Sequence, residues 1–156
     1  MRIVAGRHRG RALVAPAGLA VRPTGERARE AIFSILEAGR LAGGNAVREA
    51  AVLDAFAGSG ALGLEALSRG AASVIFMEKD KVALAALKAN IAKLDEGGRA
   101  RVIAADCCRP PAAAGLAALP ATLVLLDPPY GEGLAARALE ALSAAGWLAP
   151  GALVVV

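Results

Sequence analysis

The stretch LDAFAGSGALGLEAL, Leu53 to Leu67, decides how this chain folds. It begins as an apolar strand and passes through Gly58-Ser59-Gly60-Ala61-Leu62-Gly63, which fits G-x-G-x-x-G. It continues as a helix. Glycines at this spacing allow a tight turn and let a ligand approach the backbone, although they also serve plain packing of a helix on a strand. Glu78 lies twenty residues after Gly58, at the end of the next strand candidate, where a carboxylate can accept hydrogen bonds from ribose hydroxyls.

Working outward, strand and helix patterns alternate from about residue 49. AAVLDAF (50–56), ASVIFME (72–78), ARVIAAD (100–106), ATLVLLD (121–127) and GALVVV (151–156) read as five strands. GALGLEALSRG (60–70) reads as a helix closed by Gly70. Asp80 caps a second helix whose Leu84, Leu87, Ile91 and Leu94 share one face, and residues 132–145 form a third. The strands lack period-two alternation, so the sheet is parallel and covered on both faces. The expected fold is a doubly wound α/β domain over residues 49–156. Residues 1–48 read as a basic extension, a hairpin over 1–15 followed by a helix. Thr24 caps that helix, and Ala28, Ala31, Ile32, Ile35 and Leu36 form its apolar stripe. Residues 41–50 are the expected hinge. The chain stops at the fifth strand, leaving an apolar edge over Leu153–Val156, so a C-terminal segment is expected to be absent.

Composition narrows the function. The net charge is +4, but residues 1–48 hold nine arginines, no lysine and three acids, while the remainder is acidic. Guanidinium forks match phosphate oxygens, so the excess points to nucleic acid rather than to a merely solvated face. No window approaches the length of a membrane span. The start imitates a targeting peptide, but Pro16 and Gly18 interrupt its apolar run and Arg22 follows it. Cys107 and Cys108 are adjacent, which makes a disulfide between them awkward. With His8 the sole imidazole, a metal site lacks ligands. Both cysteines read as reduced, buried residues of a cytosolic protein.

Acids end successive strands. Asp54 sits four residues before Gly58, where it would oppose a pyrophosphate and attract an ammonium or a sulfonium. S-adenosylmethionine carries both, plus ribose for Glu78 and an adenine amine for Asp106. Asp127 ends the fourth strand, beside the crevice where open α/β sheets bind ligands. Its carboxylate and the Pro128 carbonyl can accept the two N–H bonds of an exocyclic base amine, favouring pyramidal nitrogen and developing positive charge. Pro128 and Pro129 restrict the backbone, and Tyr130 offers a stacking ring. The competing reading is a Pro-Pro turn whose Asp127 caps the following helix.

DPPY (127–130) beside the glycine loop resembles the S-adenosylmethionine-dependent amino-methyltransferases, a Rossmann-like class I fold. RIVAGRHRGRAL (2–13) and VRPTGERAREAIFSIL (21–36) narrow the resemblance to the bacterial RsmD-like family of 16S rRNA guanine-N2 methyltransferases, the guanine-966 type. That resemblance implies cofactor contacts by Asp54, Phe56, Ala57, Gly58, Ser59, Gly60, Glu78, Lys79 and Asp106. It implies catalysis by Asp127, Pro128, Pro129 and Tyr130, and RNA contacts by Arg2, Arg7, Arg9, Arg11, Arg22, Thr24 and Arg27, with Pro23 also near the mouth. The expected partner is 16S rRNA, in the small subunit or an assembly intermediate, met by a cytoplasmic monomer that needs neither metal nor membrane. Family members continue into two further strands. The rivals are an adenine-N6 or cytosine-N4 methyltransferase of DNA or RNA, an NAD-dependent oxidoreductase, and a non-catalytic RNA-binding assembly factor.

Overall fold

A computed structural model describes residues 1–17, 25–116, 120–129 and 133–156. In chain order the elements are α1 (Glu26–Glu37), β1 (Ala51–Ala55), α2 (Ala61–Ser68), β2 (Ser73–Glu78), α3 (Lys81–Lys93), β3 (Ala100–Ala104), β4 (Ala121–Leu126), α4 (Leu134–Ala144) and β5 (Leu148–Val155). The five strands form one sheet in the order β3-β2-β1-β4-β5, and every neighbouring pair is parallel. The doubly wound α/β expectation therefore holds.

Alternate residues of the central strands face opposite layers, and both layers are apolar. Val52, Val74, Phe76, Leu123 and Leu125 pack with residues of α1, α2 and α3. Leu53, Ala55, Met77, Val124 and Leu126 pack with Ala138 and Leu142 of α4 and with Trp147. Burial on both faces removes the selection for polar residues at every second position, which explains the unbroken apolar runs. α2 is wedged deepest, with Leu62 through Ser68 all buried. In α3, Asp80 Oδ2 accepts the Ala83 amide at 2.8 Å, as its capping pattern predicts, and Leu84, Leu87, Ile91 and Leu94 are buried.

The N-terminal segment forms the expected hairpin. Arg2 bridges Ala12 in antiparallel sense, the Ile3 amide donates to Arg11 O at 2.9 Å, and the Leu13 amide donates to Met1 O at 2.8 Å. Ile3, Leu13, Phe33 and Leu36 join the same apolar cluster as the sheet.

Three local readings need correction. The N-cap of α1 is Gly25, without a side-chain cap, and Thr24 lies outside the described residues. The buried face of α1 is Arg29, Phe33 and Leu36, while Ile35 is 56% exposed, because Arg29 is drawn into an internal ion pair that sets the helix's rotation. β5 begins at Leu148, three residues before the expected Gly151. Its pairing with β4 shifts register between Ala121 and Leu123, where Pro150 lacks an amide proton and Gly151 takes φ +74°.

Candidate functional site

The sheet order reverses between β1 and β4, and the crevice outside the carboxyl ends of such strands is where α/β sheets bind ligands. A cleft of about 970 Å³ opens there. It is lined by the loop after β1, the ends of β2 and β4, the segment after β3, and the start of α4.

The loop is built by strain and close contact. Phe56 leaves β1 at φ +57°, a left-handed conformation that costs a non-glycine residue about 1–3 kcal/mol. Its amide donates to Cys107 Sγ at 3.3 Å, which helps hold that turn. The three motif glycines divide the work. A Cβ on Gly58 would meet nothing within 4 Å, so this backbone is open to a ligand. A Cβ on Gly60 would lie 2.5 Å from Leu87 Cδ1, and one on Gly63 would lie 2.4 Å from Phe76 Cε1. Gly60 therefore serves packing and is not among the cleft-lining residues, whereas Asp54, Phe56, Ala57, Gly58 and Ser59 are.

Four strand-end acids meet this cleft: Asp54, Glu78, Asp106 and Asp127. Asp54 is 1% exposed, and its Oδ2 accepts the Gly63 amide at 2.9 Å, so it lies beneath the loop as well as beside the cleft. Burial pushes its carboxyl well above the usual carboxylate range, and the nearby Asp127 and Glu78 charges push the same way. The Gly63 bond opposes them. Glu78 Oε2 accepts the Gly58 amide at 2.8 Å. Asp106 Oδ1 accepts the Cys108 amide at 2.9 Å, and its Oδ2 lies 3.8 Å from Lys79 Nζ. Asp127 is exposed on the cleft with Pro128 and Pro129 beside it, while Tyr130 lies outside the described residues. The N-cap of α4 is Gly133, in the left-handed region at φ +66°.

Cys107 is buried, and burial pushes its thiol up to about 12, which leaves it un-ionised and unsuited to nucleophilic work. Both cysteines are free, Cys107 buried and Cys108 half-buried on the cleft wall.

Among the basic residues, Arg2, Arg7, Arg9, Arg11 and Arg27 are exposed on the hairpin and α1; Arg22, Pro23 and Thr24 fall outside the described residues. Arg29, counted with the basic segment from sequence, is a core residue. It donates to Arg2 O, and its Nε lies 4.0 Å from Glu65 Oε1. Glu65, fully buried on α2, also accepts the Val4 amide at 2.8 Å and lies 3.5 Å from Arg69 Nε. Gly6 packs against the same helix: a Cβ there would sit 2.0 Å from Ser68 O.

Sequence reasoning missed Pro16, Met77, Cys108 and Arg137 as cleft residues, and Glu65 and Asn90 as anchors of the hairpin. The legible signal was a lone carboxylate in the apolar run ALGLEALS, since an unpaired charge is rarely buried.

The donor set suits a cationic nucleoside. Acids surround an open glycine backbone, and the volume lies at the upper end of the roughly 300–1,000 Å³ typical of ligand clefts, leaving room for a second group beside Asp127. Among the described residues, no cluster of His, Cys, Asp and Glu is arranged to hold a metal, and no helix is long and apolar enough to cross a membrane.

The family model described as conserved hypothetical protein 95 matches residues 1–156. The chain is 40% identical over 156 residues to ribosomal RNA small subunit methyltransferase D of Escherichia coli, covering all of this chain and 73% of the relative. It is 38% identical to the protein of the same name from Haemophilus influenzae, over all of this chain and 77% of that one. A solved hypothetical protein from Thermus thermophilus superposes with a TM-score of 0.73 at 35% identity, over 96% of this chain and 80% of that one. The C-terminal domain of precorrin-6Y C5,15-methyltransferase from Rhodobacter capsulatus matches with a TM-score of 0.58 at 25% identity, over 85% and 62%.

Proposed function

The chain belongs to the conserved hypothetical protein 95 family, the RsmD-like ribosomal RNA methyltransferases, and from that premise we propose that it transfers a methyl group from S-adenosylmethionine to the N2 amine of one guanine in 16S rRNA. The observation that carries this reading is the meeting of Asp127 with Gly58, Glu78 and Asp106 in one cleft.

Bound there, S-adenosylmethionine supplies an electrophilic methyl group on a cationic sulfur. Asp54, beneath the loop, gives up its proton as the cation binds and then adds negative field there, and the open Gly58 backbone admits the ligand. Glu78 and Asp106 offer carboxylate oxygens to ribose and to the adenine amine, with Lys79 closing the rim. A guanine N2 is planar and weakly nucleophilic because its lone pair is delocalised into the ring. Asp127 and the Pro128 carbonyl accept its two N–H bonds and favour the pyramidal nitrogen that attacks. Pro128 and Pro129 hold those acceptors still, which limits reorganisation, and alignment supplies much of the acceleration. Tyr130 provides a face for the flipped base. Being exposed, Asp127 can pass the proton lost from nitrogen to water.

The exposed arginines Arg2, Arg7, Arg9, Arg11 and Arg27, with Arg22 and Thr24, grip phosphates and orient the RNA without reading its sequence. The substrate is the small subunit or its assembly intermediate, and the enzyme acts as a cytoplasmic monomer.

The test is transfer of labelled methyl from S-adenosylmethionine to undermethylated small-subunit particles, followed by nucleoside mass spectrometry. N2-methylguanosine at one position is expected. Label in N6-methyladenosine or N4-methylcytidine would replace the proposed target, and RNA binding without transfer would favour an assembly factor.

A further inference from the structure

Asn90, on α3, is fully buried, and its carboxamide has three partners. Oδ1 accepts the Val14 amide at 2.7 Å, Nδ2 donates to Val14 O at 2.9 Å, and Nδ2 also donates to Ser59 O at 2.9 Å. Only a primary amide does this. It offers an acceptor and a donor in one plane, as a neighbouring strand would, and keeps a second proton for another carbonyl. Aspartate would lack both donors, and an apolar residue would leave buried groups unpaired. One side chain thus joins the N-terminal arm to the glycine loop, at the residue between Gly58, open to the cleft, and Gly60, packed on Leu87.

The contact is the first rung of a ladder. Val14 meets Asn90. Three residues back along the arm, Arg11 Nη2 donates to Lys93 O, three residues on, at 2.9 Å. Three further, His8 Nε2 lies 2.6 Å from Glu96 Oε1. The arm therefore runs antiparallel to the end of α3 with Arg7 and Arg9 exposed, and of these three rungs the one at Asn90 reaches the glycine loop. Two residues beyond Val14, Pro16 lines the cleft itself.

We propose that Asn90 and Pro16 couple the arginine arm to the cofactor loop, so that an occupied cleft strengthens the grip on RNA and bound RNA strengthens the hold on the nucleoside. The inference rests on the reading of the cleft as an S-adenosylmethionine site and of the arm as an RNA contact. Asn90 is a positioning residue that acts through Ser59 and Val14. Coupling between two binding sites is reciprocal, so the same factor must appear from either side.

The test measures the affinity of the full chain for a small-subunit rRNA fragment by fluorescence anisotropy, with and without saturating S-adenosylhomocysteine, the non-reactive product. Calorimetry of the nucleoside with and without RNA gives the reciprocal ratio. The wild-type chain should bind RNA about fivefold or more tightly when the nucleoside is present, the low end of typical coupling. In Asn90→Ala the ratio should fall to near one while both ligands still bind. Pro16→Gly leaves the three Asn90 bonds in place and should also lower the ratio, which keeps the proposal testable if Asn90→Ala does not fold. A purely structural staple would lower stability and leave the ratio unchanged. A wild-type ratio of one with both ligands bound overturns the coupling and leaves the methyltransferase reading intact. An unchanged ratio in the folded variants overturns the assignment to Asn90 and Pro16. No nucleoside binding at all overturns the cleft reading itself, and the coupling with it.

Discussion

Glu78 Oε2 accepts the Gly58 amide at 2.8 Å, while Oε1 accepts the amides of Lys79 and Asp80 at 2.9 Å each. One carboxylate therefore fastens the loop after β1 to the turn after β2. Glu78→Ala should leave three backbone amides without this acceptor, at about 1–3 kcal/mol for each that stays shielded from water. S-adenosylmethionine affinity should fall at least tenfold by calorimetry, with RNA affinity in its absence much less affected. Equal losses for both ligands would show that Glu78 supports the fold and not the cofactor site.

Asp54 gives a pH dependence with a definite sign. Burial, then the charges of Asp127 and Glu78, raise its pKa in the folded state. A raised carboxyl pKa favours the protonated form, so this group costs no stability below the ordinary carboxylate range and lowers stability as pH climbs through the raised value. Asp54→Asn should therefore raise the thermal midpoint at neutral pH without ligand, and it should weaken S-adenosylmethionine binding. In the wild-type chain, affinity for this cation should increase with pH over the same window, with proton release detectable by calorimetry in two buffers. Affinity independent of pH there would remove Asp54 from the electrostatics of the site.

Asp127 is exposed at the end of β4 and reaches the cleft without being part of the core. Asp127→Ala should cut methyl transfer by about 10²–10³-fold, the scale seen when one preorganised polar group is removed from an active site. Cofactor affinity and thermal midpoint should change little. Undiminished single-turnover rates would exclude the proposed acceptor role.

The exposed Arg7, Arg9 and Arg11 supply a salt test. Replacing all three with alanine should weaken RNA binding and flatten the plot of log affinity against log salt, by about 0.7–0.9 for each phosphate no longer neutralised. A slope identical to wild type would place the RNA elsewhere.

Gly6 and Gly10 make an internal comparison, since both have left-handed φ, +84° and +83°. A Cβ on Gly6 would lie 2.0 Å from Ser68 O, whereas one on Gly10 meets nothing within 4 Å. Gly10→Ala should cost about 1–2 kcal/mol from the backbone alone. Gly6→Ala should cost about 1–3 kcal/mol more by forcing the hairpin off α2. Denaturant unfolding of the two variants measures the difference, and equal costs would mean that the hairpin is not held closely against α2.

The strands and helices were legible because their signals are local. A strand buried on both faces is an uninterrupted apolar run, as in LVLL before Asp127, and Asp80 announces α3 by capping it. The cleft was legible for a related reason. In a parallel sheet every strand end points to the same side, so acids that close successive strands must meet. The rotation of α1 was not legible. Of its expected stripe Leu36 is buried and Ile32 half-buried, but Arg29 and Phe33 complete the buried face in place of Ile35, because Glu65 draws Arg29 inward.

Sequence by itself determined the α/β order, the glycine loop, the strand-end acids and the family, because each is written within a short span. Tertiary structure alone decided that Asp54 turns beneath the loop to Gly63, that Arg29 leaves the basic face for the core, and that the arm lies along α3. The arm contacts join residues 76 to 88 positions apart, Val14 with Asn90 and His8 with Glu96. Pairings at that distance depend on which surfaces meet after the sheet has formed, and no local pattern of residues encodes them.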